Sequence, residues 1–515
     1  MAEGLHLFTS EYFSGLEILR PFILWVLISR QEKNVVRRIG IVFSRWLPYL
    51  LVFSIYGYWR VFIFQGPPGG DRNDPVLLFQ FISEPIGTAF QLLNTSLKDS
   101  ATILFNSWYQ TLTPDIFELN SFFSRFALVA VLISFFGLNV LMNKLEFHIE
   151  TENNPIETKR YRKESFLLGI VALFSGTLPI WIIGKAISTH KNQMAATRFG
   201  LPSMLGAAIL LVFLIDYLIL ERKRANAVIS LGVALAIGFH LNNAHLYKYS
   251  WEKQKNLYQQ IALRVPELEP NTAIISEGEI LPIMGEYPTS YAINSIYYPF
   301  EGKETPYWFF AIYPSFYMQT ESFFNGMLIE EQHLLSDFTG DSKESLLISF
   351  EPERGQCLWV LRPEDSDLRL ISKLMREASL NSAIGRIQSE DADIRTLPIE
   401  IYGEELQKNW CFYYQQADLA RQNEAWIEII NLWEEAEVRD RRPENGFEII
   451  PFIEGYAHQG DWNQVRILTR RANKVSQGME SILCSTLFQI ADTTPASINR
   501  KEVMESLSSY LNCQE

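Results

Sequence analysis

The chain has 515 residues, 48% of them hydrophobic, with a formal net charge of −14 and a mean hydropathy of zero, values that a soluble enzyme could share. The charge is uneven, because residues 1–245 carry 21 Lys and Arg against 17 Asp and Glu, whereas residues 246–515 carry 24 against 42. A weakly basic apolar half followed by an acidic half predicts a membrane domain joined to a soluble one. The acidic half also argues against nucleic acid as a partner, since phosphate binding needs clustered Lys and Arg.

The first apolar segment, residues 12–29, contains an acid and a base. Glu17 and Arg20 are three residues apart, so a helix would place them on one face, where they can form an ion pair. Charged side chains inside a span are costly and usually face protein or water, which makes the pair a functional candidate. The alternative is an interfacial helix with both charges among the headgroups.

Five further apolar segments predict membrane spans over residues 46–64, 122–142, 166–188, 201–220 and 227–244. Residues 66–75, GPPGGDRNDP, break regular structure. Residues 76–112 contain two helical stretches, interrupted at Glu84-Pro85 and at Lys98-Asp99. We expect them to lie at the membrane surface or, alternatively, to form a re-entrant pair.

The basic turn after residue 220 sets the predicted orientation. Its sequence, ERKR, places three cations between two spans and marks that side as cytoplasmic. Basic linkers at 30–45, 143–164 and 221–225 alternate with less basic ones at 66–120 and 186–199, as six spans require. This pattern predicts a multi-pass membrane protein with residues 246–515 outside the cytoplasm.

The acidic half divides into two regions. Residues 246–402 predict an α/β domain, with a helix at 252–265 and strands at 272–276, 346–350 and 358–361. Aromatic residues crowd positions 287–317, either as a hydrophobic core or as a platform for sugars or headgroups. Residues 403–515 predict an all-α tail of helical hairpins.

The tail contains an internal repeat. One set of residues recurs 36 positions later on a helical face: Trp426, Ile429, Leu432 and Ala436, then Trp462, Val465, Leu468 and Ala472. The period resembles that of tetratricopeptide-type helix pairs, which implies binding of a partner protein. We expect the two tryptophans to be buried equivalently.

All four cysteines lie in the acidic half, without the spacing of a zinc site or a redox motif. Free buried thiols are the expected state of Cys357, Cys411, Cys484 and Cys513. A Cys484–Cys513 disulfide is the alternative if this half faces an oxidising compartment.

Motifs of nucleotide-driven pumps and of common hydrolases are absent from the sequence, which leaves a cationic outer loop as the main chemical feature. The loop carries Lys185, His190, Lys191 and Arg198. Such a cluster at the mouth of a helix bundle predicts a phosphate or lipid-donor site, where Arg offers bidentate contact. Snorkelling to lipid headgroups is the alternative.

Two further polar groups fall within predicted spans. Asp216 lies one turn from the cytoplasmic turn, where Arg222 or a basic linker can neutralise it, so we expect a structural anchor rather than a proton relay. His240 lies near the outer end of the last span and is either a satisfied core histidine or part of a polar cavity with His245.

The run SEYFSGLEILRPFILW, the basic loop leading into RFGLPSMLGAAILL, and the extracytoplasmic C-terminal region together resemble the C-terminal part of bacterial C-type glycosyltransferases. The resemblance covers residues 10–300 and is one of pattern and topology. It implies transfer of a sugar from a polyprenyl-phosphate donor on the outer face of the membrane.

The chain also departs from that family, whose catalytic carboxylate lies in the first outer loop, because no such acidic loop precedes Glu11. Asp71 and Asp74 are the nearest substitutes; they could hold a divalent cation beside a phosphate, or simply form turns. Otherwise no cofactor is expected. The protein is therefore expected to be an active or degenerate glycosyltransferase-like protein or, alternatively, a non-catalytic anchor whose repeats bind a partner. A transporter is disfavoured, since no pattern of broken spans repeats in two halves.

Overall fold

The computed structural model describes residues 2–9, 11–64, 76–112, 122–144, 155–187, 197–297, 305–313, 323–333, 336–388, 397, 402 and 408–513. The chain forms two compact units, Met1–Tyr247 and Lys248–Glu515. We call them the membrane unit and the C-terminal unit.

In the membrane unit the helices are α1 (Ala2–Thr9), α2 (Leu19–Ser29), α3 (Val35–Tyr58), α4 (Val76–Ser83), α5 (Pro85–Ala101), α6 (Ser107–Tyr109), α7 (Phe122–Lys144), α8 (Pro155–Ile182) and α9 (Leu201–Leu218), and α10 (Arg222–Arg264) begins there. A 3-10 helix, Glu11–Ile18, precedes α2, and another, Arg198–Gly200, precedes α9. Among the described residues, six helices are long and apolar enough to cross a membrane. They are Glu11–Ser29, Val35–Ile63, Phe122–Lys144, Lys159–Ile182, Arg198–Leu218 and Arg222–Arg264, which agrees with the six predicted spans.

The contacts at the ends of these helices match alternating spans. On the basic face, where the first span ends and the fourth begins, Arg160 Nη2 lies 2.5 Å from Ser29 Oγ. On the opposite face, where the first span begins and the second ends, Glu11 and Arg60 form an ion pair at 2.9 Å. These contacts place the ends of the first, second and fourth spans as alternating helices require.

Small residues set the spacing of the fourth and fifth spans. A Cβ on Gly206 would overlap the backbone nitrogen of Leu173 and lie 2.7 Å from the carbonyl oxygen of Gly169. Ser203 Oγ donates to the carbonyl of Leu173 at 2.7 Å and also bonds to Thr177. The absence of a side chain lets the two backbones approach, as in many membrane helix pairs.

The C-terminal unit continues α10 and adds α11 (Glu286–Ile296), α12 (Lys373–Ser379), α13 (Trp410–Gln422), α14 (Trp426–Val438), α15 (Ile450–His458), α16 (Trp462–Val475), α17 (Glu480–Thr493) and α18 (Ile498–Leu511). Its strands are β1 (Glu267–Leu268), β2 (Thr272–Glu277), β3 (Tyr307–Ile312), β4 (Leu328–His333), β5 (Ser336–Asp341), β6 (Leu346–Ser349), β7 (Trp359–Val360) and β8 (Ile387–Gln388). The predicted helix at 252–265 is the end of α10 rather than a separate element.

Among the described residues, four strands form a sheet in the order β3-β2-β6-β7, in which β2, β3 and β6 are parallel and β7 is antiparallel. Alternate residues of β2 enter two cores: Ile275 packs with the helices after residue 408, and Ile274 packs with α10 and α11. Covered on both faces, the three parallel strands are buried at nearly every position.

The described residues after 408 form three helical hairpins, α13/α14, α15/α16 and α17/α18. The first helix of each hairpin contacts the first helix of the next. The two repeated tryptophans differ, however. Trp462 is 5% exposed, whereas Trp426 is half-buried and stacks on His458 with ring centroids 3.9 Å apart. The expectation of equivalent burial is therefore wrong, because the histidine covers only one face of the Trp426 ring.

The cysteines are paired, so the expectation of free thiols is wrong. Cys484 and Cys513 form a disulfide that closes the α17/α18 hairpin. Cys357 and Cys411, 54 residues apart, form another because β7 and α13 pack together. Only tertiary packing could reveal the second pairing.

A buried ionic network joins α10, α13 and α15. Arg264 Nε lies 2.6 Å from Asp418 Oδ2, and Arg421 pairs with both Asp418 and Glu454. Burial alone would raise the pKa of Asp418, but Arg264 and the neighbouring guanidinium groups hold it below its ordinary value. Every member is nearly inaccessible, so the network holds helices together.

Candidate functional site

Two of the predicted phosphate-binding cations meet on one aromatic ring. Lys185 Nζ lies 5.9 Å from the centroid of the Phe199 ring, and Arg198 Cζ lies 5.4 Å from it. The Arg198 guanidinium also lies 5.5 Å from the Tyr12 ring, which contacts Phe199 at 5.4 Å between centroids. We call Tyr12, Lys185, Arg198 and Phe199 the cation–aromatic cluster. It brings together the starts of the first and fifth spans and the chain that follows the fourth.

Local structure explains how the cluster forms. After α8 ends, Gly184 adopts a φ of +74°, which reverses the chain toward Lys185. The 3-10 helix that opens the fifth span buries Phe199 and leaves Arg198 exposed. A Cβ added at Gly200 would lie 3.4 Å from the side chain of Ile187.

Asp99 anchors the segment that carries Lys185. Its Oδ2 accepts hydrogen bonds from the indole Nε1 of Trp181 at 2.8 Å and from the backbone nitrogen of Ile187 at 3.2 Å. Asp99 is 2% exposed. The predicted interruption at Lys98-Asp99 is wrong, since α5 continues to Ala101. The sequence suggested a helix break because the inward hydrogen-bond partners of Asp99 are remote along the chain.

Four of the predicted site residues lie outside the described residues. They are Asp71, Asp74, His190 and Lys191. Among the described residues, no group of three or more His, Cys, Asp or Glu side chains is arranged to hold a metal ion.

The charged residues predicted inside the spans have partners. Arg20 binds Glu17 through two hydrogen bonds of 2.8 and 2.9 Å, which confirms the expected pair, and its guanidinium lies 3.9 Å from the Tyr49 ring centroid. Asp216 pairs at 3.1 Å with Arg162, so a cation of the basic linker neutralises it, as expected. Each carboxylate is therefore compensated by a nearby guanidinium.

The two histidines of the last span have different surroundings. His240 is exposed, and its ring contacts that of Phe239 at 5.7 Å between centroids. His245 stacks on Phe123 of the third span at 4.0 Å. His245 thus takes part in pairing the third and sixth spans.

A second cluster, which the sequence analysis missed, lies where the parallel strands β2 and β3 end. Glu279 follows β2, Glu286 begins α11 and Glu331 lies on β4. Burial raises the pKa of all three carboxyl groups, and Glu331 and Glu279 add to the rise at Glu286. Glu286 also accepts a hydrogen bond of 2.8 Å from the backbone nitrogen of Ala311 on β3. The carboxyl ends of parallel strands are a frequent site for ligands, and that rule could have indicated this cluster.

Aromatic side chains border the carboxylates. The Tyr287 ring stacks on His333 with centroids 4.0 Å apart, and the Tyr291 hydroxyl lies 3.0 Å from His333 Nδ1. The aromatic residues of the predicted platform therefore occupy two different environments. Trp308 and Phe309 are buried in the cores, while Tyr287 lies at the surface.

Comparison with known proteins found no matching family model, no matching curated protein and no matching solved structure.

Proposed function

We propose that the cation–aromatic cluster binds the phosphate of a polyprenyl-phosphate-linked sugar, and that the protein is a glycosyltransferase-like membrane protein. The observation that carries the proposal is the placement of Lys185 and Arg198 over the Phe199 ring. Two cations at the mouth of a helix bundle provide charge for a phosphate, and the guanidinium adds a planar fork.

The surroundings of Arg198 support this assignment. Among the described residues, no carboxylate lies within ion-pair distance of its guanidinium. By contrast, Arg20, Arg60 and Arg162 in the same unit each have an acidic partner. A cation held on aromatic rings keeps its N–H groups available for an anionic ligand.

The disulfides support an extracytoplasmic position for the C-terminal unit. All four cysteines are paired, and disulfides persist mainly in oxidising compartments. This argument is independent of the basic turn after residue 220. Both favour the side of the membrane where a polyprenyl-phosphate donor is used.

The test is to replace Arg198 by Lys and measure binding of a polyprenyl monophosphate to the purified full-length protein in detergent micelles. We expect affinity to fall about 10- to 150-fold, equivalent to about 1.5–3 kcal/mol, because Lys keeps the charge but loses the fork. The melting temperature should be unchanged. Arg125→Lys is the matched control, since Arg125 is also exposed at the start of a span. Equal affinity of wild type and Arg198→Lys would reduce Arg198 to a headgroup anchor.

The helical hairpins favour a second candidate function, a membrane anchor that binds a partner protein. The inner side of the hairpins packs on the sheet of the same unit, so a partner protein could bind only to the helix surfaces that face away from the sheet. There Ile427 of α14 and Ile467 of α16 are 65% and 48% exposed, and α16 also presents Arg466, Arg470 and Lys474. A photo-crosslinking residue at Ile427 should capture a specific protein in intact cells if this surface docks a partner. If the residue at position 427 captures no protein, this docking function is contradicted. It is contradicted equally if a photo-crosslinking residue at an exposed position on α18 captures the same proteins.

A further inference from the structure

Helix α5 has three distinct faces. The side chains of Thr88, Ser96, Asp99 and Ser100 are buried against the rest of the membrane unit. An apolar stripe of Ile86, Phe90, Leu93 and Leu97 is 86%, 73%, 55% and 55% exposed. Gln91, Asn94 and Lys98 form a third face that is polar and also exposed. The spacing of four, three and four residues places the stripe along one side of the helix.

The contacts of α5 place its C-terminal end at the boundary of the spans. Asp99 bonds to Trp181 and Ile187, at the end of the fourth span. Ile103, which is buried just beyond the end of α5, lies 3.8 Å from the position of a Cβ on Gly200, at the start of the fifth span. The helix therefore meets the bundle at the level where two spans end.

We infer that α5 lies in the interface of one leaflet, with the apolar stripe in hydrocarbon and the polar face in water. The spans of the same unit also expose apolar side chains, and α5 meets them where the fourth span ends, so the hydrocarbon of that leaflet is the partner of the stripe. A re-entrant position would put Lys98 and Asn94 into hydrocarbon without partners, which is costly. A position in water would expose four large apolar side chains in a row.

The placement has a consequence for the cation–aromatic cluster. Because Asp99 holds the backbone at Ile187, two residues after Lys185, a helix seated in the leaflet fixes the chain that carries this cation. The leaflet contact itself does not depend on what the cluster binds.

The inference is tested with nitroxide labels on the full-length protein in phosphatidylethanolamine–phosphatidylglycerol vesicles. Phe90→Cys and Gln91→Cys are a matched pair of neighbouring residues, one on the stripe and one on the polar face. All four native cysteines are in disulfides, so the label attaches only at the introduced thiol. A third label at Leu132, on an exposed side of the third span, provides the reference for hydrocarbon.

We expect the Phe90 label to resemble the Leu132 label, with high accessibility to oxygen and low accessibility to a water-soluble nickel chelate. The Gln91 label should show the reverse order. Leu97→Cys and Lys98→Cys repeat the comparison if either first variant fails to fold. Two nickel-accessible labels would overturn the inference in favour of an aqueous position, and two labels accessible only to oxygen would overturn it in favour of a re-entrant one.

Discussion

The carboxyl group of Glu448 should make the stability of the C-terminal unit depend on pH in an unusual direction. It is fully buried and accepts hydrogen bonds from the Cys357 backbone nitrogen at 2.8 Å and from the indoles of Trp359 and Trp410 at 3.2 and 2.6 Å. Burial raises its pKa to about 7, although the three donors favour the ionised form. Because the folded state then binds the proton more tightly than the unfolded state, stability is highest at low pH and falls as pH rises from about 4.5 to 7.

The magnitude follows from the shift. A change in pKa from 4.5 to about 7 corresponds to about 3 kcal/mol of unfolding free energy. Glu448→Gln removes the titration and resembles the protonated group in shape. Between pH 4.5 and pH 8, the unfolding free energy of Glu448→Gln should therefore fall by about 3 kcal/mol less than that of the wild type. Asp365, whose pKa burial raises to about 6, acts in the same direction and remains in both proteins.

Hydrogen exchange of the full-length protein in micelles, corrected for intrinsic rates, measures this difference on peptides that contain β7. The comparison of wild type with variant cancels the contribution of Asp365. An identical pH dependence in the two proteins would refute the argument, since it would mean that the pKa of Glu448 is the same in the folded and unfolded states.

Three other predictions concern packing and covalent links. Gly206→Ala should destabilise the membrane unit by about 1–3 kcal/mol, because the new Cβ overlaps the backbone of the fourth span. The control is Gly137→Ala, whose new Cβ meets no atom within 4 Å and should change the stability little. Unfolding in mixed micelles, followed by circular dichroism, compares the two variants. Removing the Cys484–Cys513 disulfide, which spans 29 residues, should cost about 3–4 kcal/mol and lower the melting temperature, and an unchanged melting temperature would show that packing alone holds the last hairpin. Trp462→Ala should cost about 3–5 kcal/mol in denaturant unfolding, and a cost below 1 kcal/mol would contradict its burial.

The six span helices and the strands β2, β6 and β7 could be predicted from the sequence because their signals are local, whereas β3, β4 and β5 were not predicted. An apolar run of about 20 residues is long enough to cross a bilayer whatever surrounds it. The strand Thr272–Glu277 is buried at nearly every position because both of its faces are covered, and its central residues Ala273, Ile274 and Ile275 are apolar. The Glu17–Arg20 pair also followed from local spacing, since residues three apart share a helical face.

The features that the sequence analysis missed depend on partners far along the chain. The sequence around Asp99 suggested a break in the helix. In the structure, Asp99 instead accepts a hydrogen bond from the indole of Trp181, which lies 82 residues later in the chain. The Cys357–Cys411 bond likewise requires β7 to pack on α13. The cluster of Glu279, Glu286 and Glu331 brings together the end of β2, the start of α11 and a strand of a second sheet, which lie apart along the chain.

By itself, the sequence determined which segments are apolar enough to leave water and which helices and strands they form, because backbone hydrogen bonding and side-chain hydrophobicity act within a few residues. Tertiary structure decided which ionisable groups meet. It placed Lys185 and Arg198 over one aromatic ring and enclosed Glu448 between two indoles, because desolvation and charge pairing depend on distances in space rather than on separation along the chain.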